Sequence, residues 1–152
     1  MSWKDIGQGT LLGDLTLAKM FAESAKLHED LPAQMYKGGI YERSLSKLAF
    51  PPAKPNEFAT LSYSTLNSTV QYIATGLRDL GLRKGSKIAI FSNTRMEWAQ
   101  SDLSILSAGG VPVTIYPNSS PSMIDYLLTD SKSIGIIAEN EDLVKKGLLR
   151  GL

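Results

Sequence analysis

Cysteine is absent from the sequence, which removes disulfides, thiolate nucleophiles and Cys-based zinc or iron–sulfur centres from consideration. Histidine is almost absent. His28 stands alone, so neither a multi-histidine metal site nor a triad with a histidine to spare is possible. Charge of one sign is missing as well: 16 Lys and Arg face 15 Asp and Glu, evenly placed along the chain. No basic arm or acidic tail exists, and nucleic acid and anionic membrane surfaces are not expected partners. No apolar run nears the roughly 18–20 residues that span a bilayer, and the first residues lack the apolar core of a signal peptide. These absences lead to the expectation of a cytoplasmic protein without a transmembrane segment.

What is present is close to a globular average, with 43% hydrophobic and 20% charged residues. Met1 to Asp14 is rich in Gly and polar residues and is expected to be poorly ordered. From Leu15 to about Asp30 the apolar residues Leu17, Met20, Phe21, Ala25 and Leu27 form a helical stripe. Asp14 or Thr16 is placed to cap it, and Leu31-Pro32 to end it. Ala33 to Arg43 reads as a short hairpin around Gly38-Gly39. Phe50 to Pro55 holds three of the seven prolines and reads as a stiff connector, which suggests a division into residues 1–58 and 59–152.

Beyond the connector, short apolar runs alternate with helical periodicity. Thr60–Tyr63 reads as a strand. Ser64 is placed to cap a helix through Leu66, Val70, Ile73, Ala74, Leu77 and Leu80, with Gly81 as its stop. Strands are expected at Lys87–Phe91, Val111–Tyr116 and Ile134–Ala138. Between them, helices are expected at about Arg95–Ala108, opened by a Thr94/Glu97 capping box, and at Pro121–Asp130, capped by Ser120. Strand–helix–strand alternation with tight turns predicts an α/β fold of right-handed βαβ crossovers around a parallel sheet.

Candidate sites are few. Gly7-Gln8-Gly9 with Gly13 misses the G-x-G-x-x-G spacing by one residue and follows no strand. Gly81 to Lys87 lacks the Gly-Lys-Ser/Thr adjacency of a P-loop and reads as a helix stop and turn. The sequons at Asn67 and Asn118 read as helix surface and helix cap. His28 falls where a cation complements a helix dipole. Glu139, Glu141 and Asp142 read as a solvated turn opening a last helix, and Trp98 reads as core packing. Val111 to Ser120 attracts most interest, because open α/β sheets place ligands at the carboxyl ends of their strands, yet a structural turn is the better reading even there. No catalytic, cofactor-binding or metal-ligating residue is assigned.

Five stretches, in order, resemble the acyl-adenylate-forming (AMP-forming) ligases. They are Leu61-Ser62-Tyr63 with the helix ending Gly76-Leu77-Arg78-Asp79-Leu80-Gly81-Leu82; Lys84 to Ile90; Asn93 through Glu97-Trp98; Ala108 to Val111; and Val111 to Ser120 followed by Leu127 to Ser131. The last is most similar to long-chain fatty-acid–CoA ligases, the acyl-CoA synthetases. The likeness runs from about Thr60 to Ala138, with Ser86 standing where the family usually has Asp and Thr65 where Glu is common.

The resemblance implies a parent that uses ATP, Mg2+ and CoA to turn a fatty acid into acyl-CoA, AMP and pyrophosphate. The family's phosphate loop, its aromatic-Gly-x-Thr-Glu segment, its ribose-binding Asp and its C-terminal-domain Lys have no counterpart in this sequence. The expectation is therefore an N-terminal fragment, inactive alone, whose partner in the parent is the remainder of the ligase. An open sheet edge is expected to drive self-association, with Leu148, Leu149 and Leu152 available to fold over it. The alternatives are a standalone flavodoxin-like or Rossmann-like binding module and an interaction protein that pairs with another ligase subunit.

Overall fold

The computed structural model describes residues 16–39 and 53–148. The expectations for Met1–Asp14, for the far side of the hairpin up to Arg43 and for Leu149 and Leu152 lie outside the described residues, as does the side chain of Leu148. The chain divides into two compact units, up to Tyr72 and from Ile73.

In the first unit, α1 (Leu17–Leu27) is capped by Thr16, whose Oγ1 accepts from Lys19 N at 3.3 Å, and it buries Phe21 and Ala25. Strand β1 (Pro32–Lys37) follows. It pairs antiparallel with β2 (Phe58–Ser62), beyond the proline connector. Gly38 explains the geometry: it bridges to Pro55 and donates to Glu57 O at 2.8 Å, and a Cβ there would fall 2.1 Å from Lys54 O. The division between the two units falls at 72/73, inside the next helix.

That helix, α2 (Tyr63–Asp79), begins one residue before the expected cap. Ser62, not Ser64, does the capping, with its Oγ accepting from Thr65 N at 3.2 Å. The helix ends as expected: Gly81, at φ +103°, donates to Arg78 O, and Leu82 donates to Leu77 O, both at 3.0 Å. This paired closure satisfies carbonyls that the helix end leaves open and requires the left-handed conformation glycine supplies.

The second unit holds a three-stranded parallel sheet of β3 (Lys87–Phe91), β4 (Val111–Ile115) and β5 (Gly135–Ala138) in the order β4-β3-β5. Helix α3 (Met96–Ser107) connects β3 to β4, α4 (Pro121–Ser131) connects β4 to β5, and α5 (Glu141–Leu148) follows β5. Residue alternation along β3 sends its side chains to two different cores. Ile88 and Ile90 meet Ala74, Leu82, Ile105 and Ala108, with Leu77, Trp98 and Ile137 packed around them. Ala89 and Phe91 meet Ile115, Ile124 and Leu128, joined by Leu127 and Leu143. Helices α2 and α3 thus cover one face, and α4 and α5 the other. This double coverage is why β3 reads as an unbroken apolar run.

Candidate functional site

The carboxyl ends of β3, β4 and β5 point the same way, and the turns that follow them form the one region where an open α/β sheet gathers side chains for a ligand. After β3, the chain turns through Ser92 to Arg95. The expected Thr94/Glu97 capping box does not form. Arg95 is the N-cap residue of α3 and makes no side-chain cap bond, while Glu97 turns its carboxylate to the Arg95 guanidinium, accepting from Nε at 2.7 Å and also from Nη2. A strong cation beside Glu97 outcompetes a neutral backbone N–H for the carboxylate.

The same guanidinium reaches the turn after β5. Arg95 Nη1 lies 3.2 Å from Glu139 Oε1, and the two side chains are only 8% and 11% exposed. Glu139 Oε2 accepts from both the backbone N and the side-chain Nδ2 of Asn93, each at 2.9 Å, and Glu139 N donates to Phe91 O at 3.1 Å. The reading of Glu139 as part of a solvated turn is therefore corrected. It is a nearly buried ion-pair partner that ties the β5 exit to the β3 exit. Glu141 and Asp142 do lie exposed in the first turn of α5.

At the third exit, Ser120 caps α4 as expected, its Oγ accepting from Met123 N at 3.2 Å, with Pro121 at the first helical position. Lys146 Nζ, from α5, donates to Pro117 O at 2.8 Å. Tyr116 and Asn118 are exposed. Trp98, half-buried, packs against the Ile88/Ile90 core. His28 is the C-cap residue of α1, its ring centroid 5.8 Å from that of Tyr63. Asn67 departs from a plain surface position, for its Oδ1 is buried without a hydrogen-bond partner.

This arrangement positions the loops at the strand ends. All three guanidinium nitrogens of Arg95 face carboxylates, so the cation is compensated. Neither Glu97 nor Glu139 is offered to a metal, and among the described residues no group of three or more His or acidic side chains could hold one. No helix among the described residues is long and apolar enough to cross a membrane.

Comparison with known proteins agrees with this architecture. The chain is 40% identical over 72 residues to the long-chain-fatty-acid–CoA ligase FadD15 of Mycobacterium bovis, an alignment covering 47% of this chain and 12% of that protein. It is 25% identical over 138 residues to tyrocidine synthase 3 of Brevibacillus parabrevis, covering 91% of this chain and 2% of that one. The solved fatty acid AMP ligase of Legionella pneumophila superposes with a TM-score of 0.68 at 17% identity, over 91% of this chain and 22% of that structure. The chain thus spans a small part of each relative. The sequence pattern of the AMP-binding enzymes matches residues 21–150, most of the chain, and the protein belongs to that family.

Proposed function

We propose that these residues are the N-terminal portion of a long-chain fatty-acid–CoA ligase acting in the cytoplasm. The whole enzyme joins a fatty acid to CoA with ATP, by way of an acyl-adenylate, and releases AMP and pyrophosphate. The observation that carries this reading is the 40% identity to a long-chain-fatty-acid–CoA ligase over 72 residues. Among family members of different chemistry it favours the fatty-acid branch over the peptide synthetases, whose identity is lower.

The contribution of this domain is scaffolding. Adenylyl transfer depends on placing phosphates and neutralising charge as it develops. The strand-end groups here compensate one another instead. Residues 1–152 alone are therefore expected to be inactive, with ATP, Mg2+ and CoA bound by the remainder of the ligase.

Two measurements test this. Purified residues 1–152 should give no ATP–pyrophosphate exchange with a long-chain fatty acid and Mg2+ above a protein-free control. Replacing the matched 72-residue stretch of the FadD15 ligase by the stretch from this chain should leave a folded hybrid that still forms long-chain acyl-CoA. A folded but inactive hybrid would count against the fatty-acid reading. Exchange by the isolated chain would show a site of its own and favour a standalone module.

A further inference from the structure

Charge that is evenly placed along the sequence is sorted by the fold. In the unit from Ile73 onward, α2, α3 and α4 each return the chain to the amino ends of the parallel strands. The turns at that end carry Arg78, Arg83, Lys84, Lys87 and Lys132, against Asp79 and Asp130. The carboxyl ends carry the reverse, with Glu97, Glu139, Glu141 and Asp142 around Arg95.

Hydrogen bonds join the basic turns into one surface. Gly85 N donates to Gly109 O, Val111 N to Ser86 O and Ile134 N to Lys87 O, each at 2.8 Å. The arginines have a local task there. Arg78 Nη2 donates to Ser107 O at 2.7 Å, at the end of α3, and Arg83 Nη1 donates to Arg78 O at 3.3 Å, at the end of α2. They answer the partial negative charge of helix ends. Lys84, Lys87 and Lys132 are different. Among the described residues, none of the three ammonium groups meets a carboxylate or donates a hydrogen bond.

The same surface exposes aliphatic side chains. Leu80, between Arg78 and Arg83 in the chain, is 88% exposed, and Ile134 and Val111 are 62% and 44% exposed. Val111 and Ile134 flank Lys87 at the entries of the three strands. Leu80 is outward because the closure of α2 buries Leu82 and leaves its neighbour unpacked. Residues 80–87, 108–111 and 131–134 hold no aromatic ring, so the surface lacks the stacking platform of a single-stranded nucleic-acid site. An exposed leucine among unpaired lysines matches a bilayer surface instead. Cations suit the phosphates of the headgroups, and aliphatic tips suit the boundary with the acyl chains.

We propose that the amino-end surface of the parallel sheet docks on an anionic lipid surface, with Lys84, Lys87 and Lys132 meeting headgroup phosphates and Leu80 entering the bilayer boundary. The net charge of the chain is only +1, so the attraction comes from how charge is distributed and not from its total. The inference rests on the fold and its surface, independently of the fatty-acid reading.

Vesicle co-sedimentation at low ionic strength is the test. The chain should bind phosphatidylcholine vesicles that contain phosphatidylglycerol, and should not bind vesicles of phosphatidylcholine alone. High salt should release it. Each lysine near an anionic bilayer strengthens binding by roughly fivefold, so Lys84→Gln/Lys87→Gln/Lys132→Gln should weaken it by about tenfold or more. Lys19→Gln/Lys54→Gln/Lys145→Gln has the same net charge but removes exposed lysines elsewhere, and it should bind like the parent chain. Leu80→Ser should weaken binding severalfold while keeping its salt dependence, and the emission of Leu80→Trp should shift to the blue on anionic vesicles. Circular dichroism and thermal melts confirm that each variant is folded. Equal binding to both kinds of vesicle, or equal losses in the two lysine variants, overturns the proposal. So does capture of a duplex oligonucleotide or polyglutamate in place of vesicles.

Discussion

Arg95 and Glu139 sit at the exits of two neighbouring strands, with Nη1 3.2 Å from Oε1 and both side chains almost withdrawn from water. Separating such a pair leaves a charge buried without compensation, which costs about 3–5 kcal/mol, more than the attraction alone would suggest. Arg95→Met should therefore destabilise the chain by about 3 kcal/mol in urea unfolding. Glu139→Gln, which keeps an acceptor for Asn93, should cost about 1–2 kcal/mol. In the double variant the two losses should fall short of additivity by about 1 kcal/mol or more. Additive losses would mean that the two side chains act separately.

Two glycines should respond oppositely to alanine. A Cβ at Gly110 would lie 2.9 Å from Ile105 Cγ2 and 3.1 Å from both Leu82 Cδ1 and Ser86 O. Gly110→Ala should cost about 1–3 kcal/mol through overpacking. Gly76 lies inside α2 with nothing within 4 Å of such a Cβ, so Gly76→Ala should stabilise by about 0.5–1 kcal/mol. Thermal melts of both variants check the pair.

Burial on α3 pushes the Asp102 carboxyl above the usual aspartate range. A carboxyl whose affinity for protons is higher folded than unfolded favours the fold while protonated, and that contribution is lost as pH rises through the folded value. Asp102→Asn should therefore be more stable than the parent chain at neutral pH, with the advantage shrinking as pH falls towards 4. A gain that is constant with pH would trace to helix propensity and not to ionisation.

Among the described residues β5 pairs with β3 alone, and the isolated chain is expected to self-associate at tens of micromolar in analytical ultracentrifugation. Ile136→Lys, placed on the exposed β5 strand, should shift it towards monomer, because charge on an edge opposes strand pairing. A chain that is monomeric throughout would show that these residues close their own surface.

Much of the fold is legible in the sequence because local signals and tertiary demands agree. Helix period, Ser120-Pro121 and Gly81 each specify an element end that is observed, and the apolar run of β3 follows from coverage on both faces. The candidate site was less legible. Glu139 reads as a turn acid because nothing near it in sequence reveals Arg95, and the same arginine draws Glu97 away from the capping box that its spacing with Thr94 suggests. The pairing of β1 with β2 is not announced locally either, since antiparallel strands can bridge a long connection at little extra entropic cost. Ser62 and Ser64 are chemically equal caps, and the side chain that wins is decided by where β2 ends.

The central strand of the sheet is the first of its three strands in the chain. During synthesis β3 therefore leaves the ribosome before either neighbour exists, carrying Ile88, Ala89, Ile90 and Phe91, all buried in the finished fold. One flank closes when α3 and β4 emerge, and the other only after α4 and β5 have followed. Until then the most apolar strand of the unit is exposed on both sides, and pauses in translation between Phe91 and Gly135 are where the nascent chain most needs protection from aggregation.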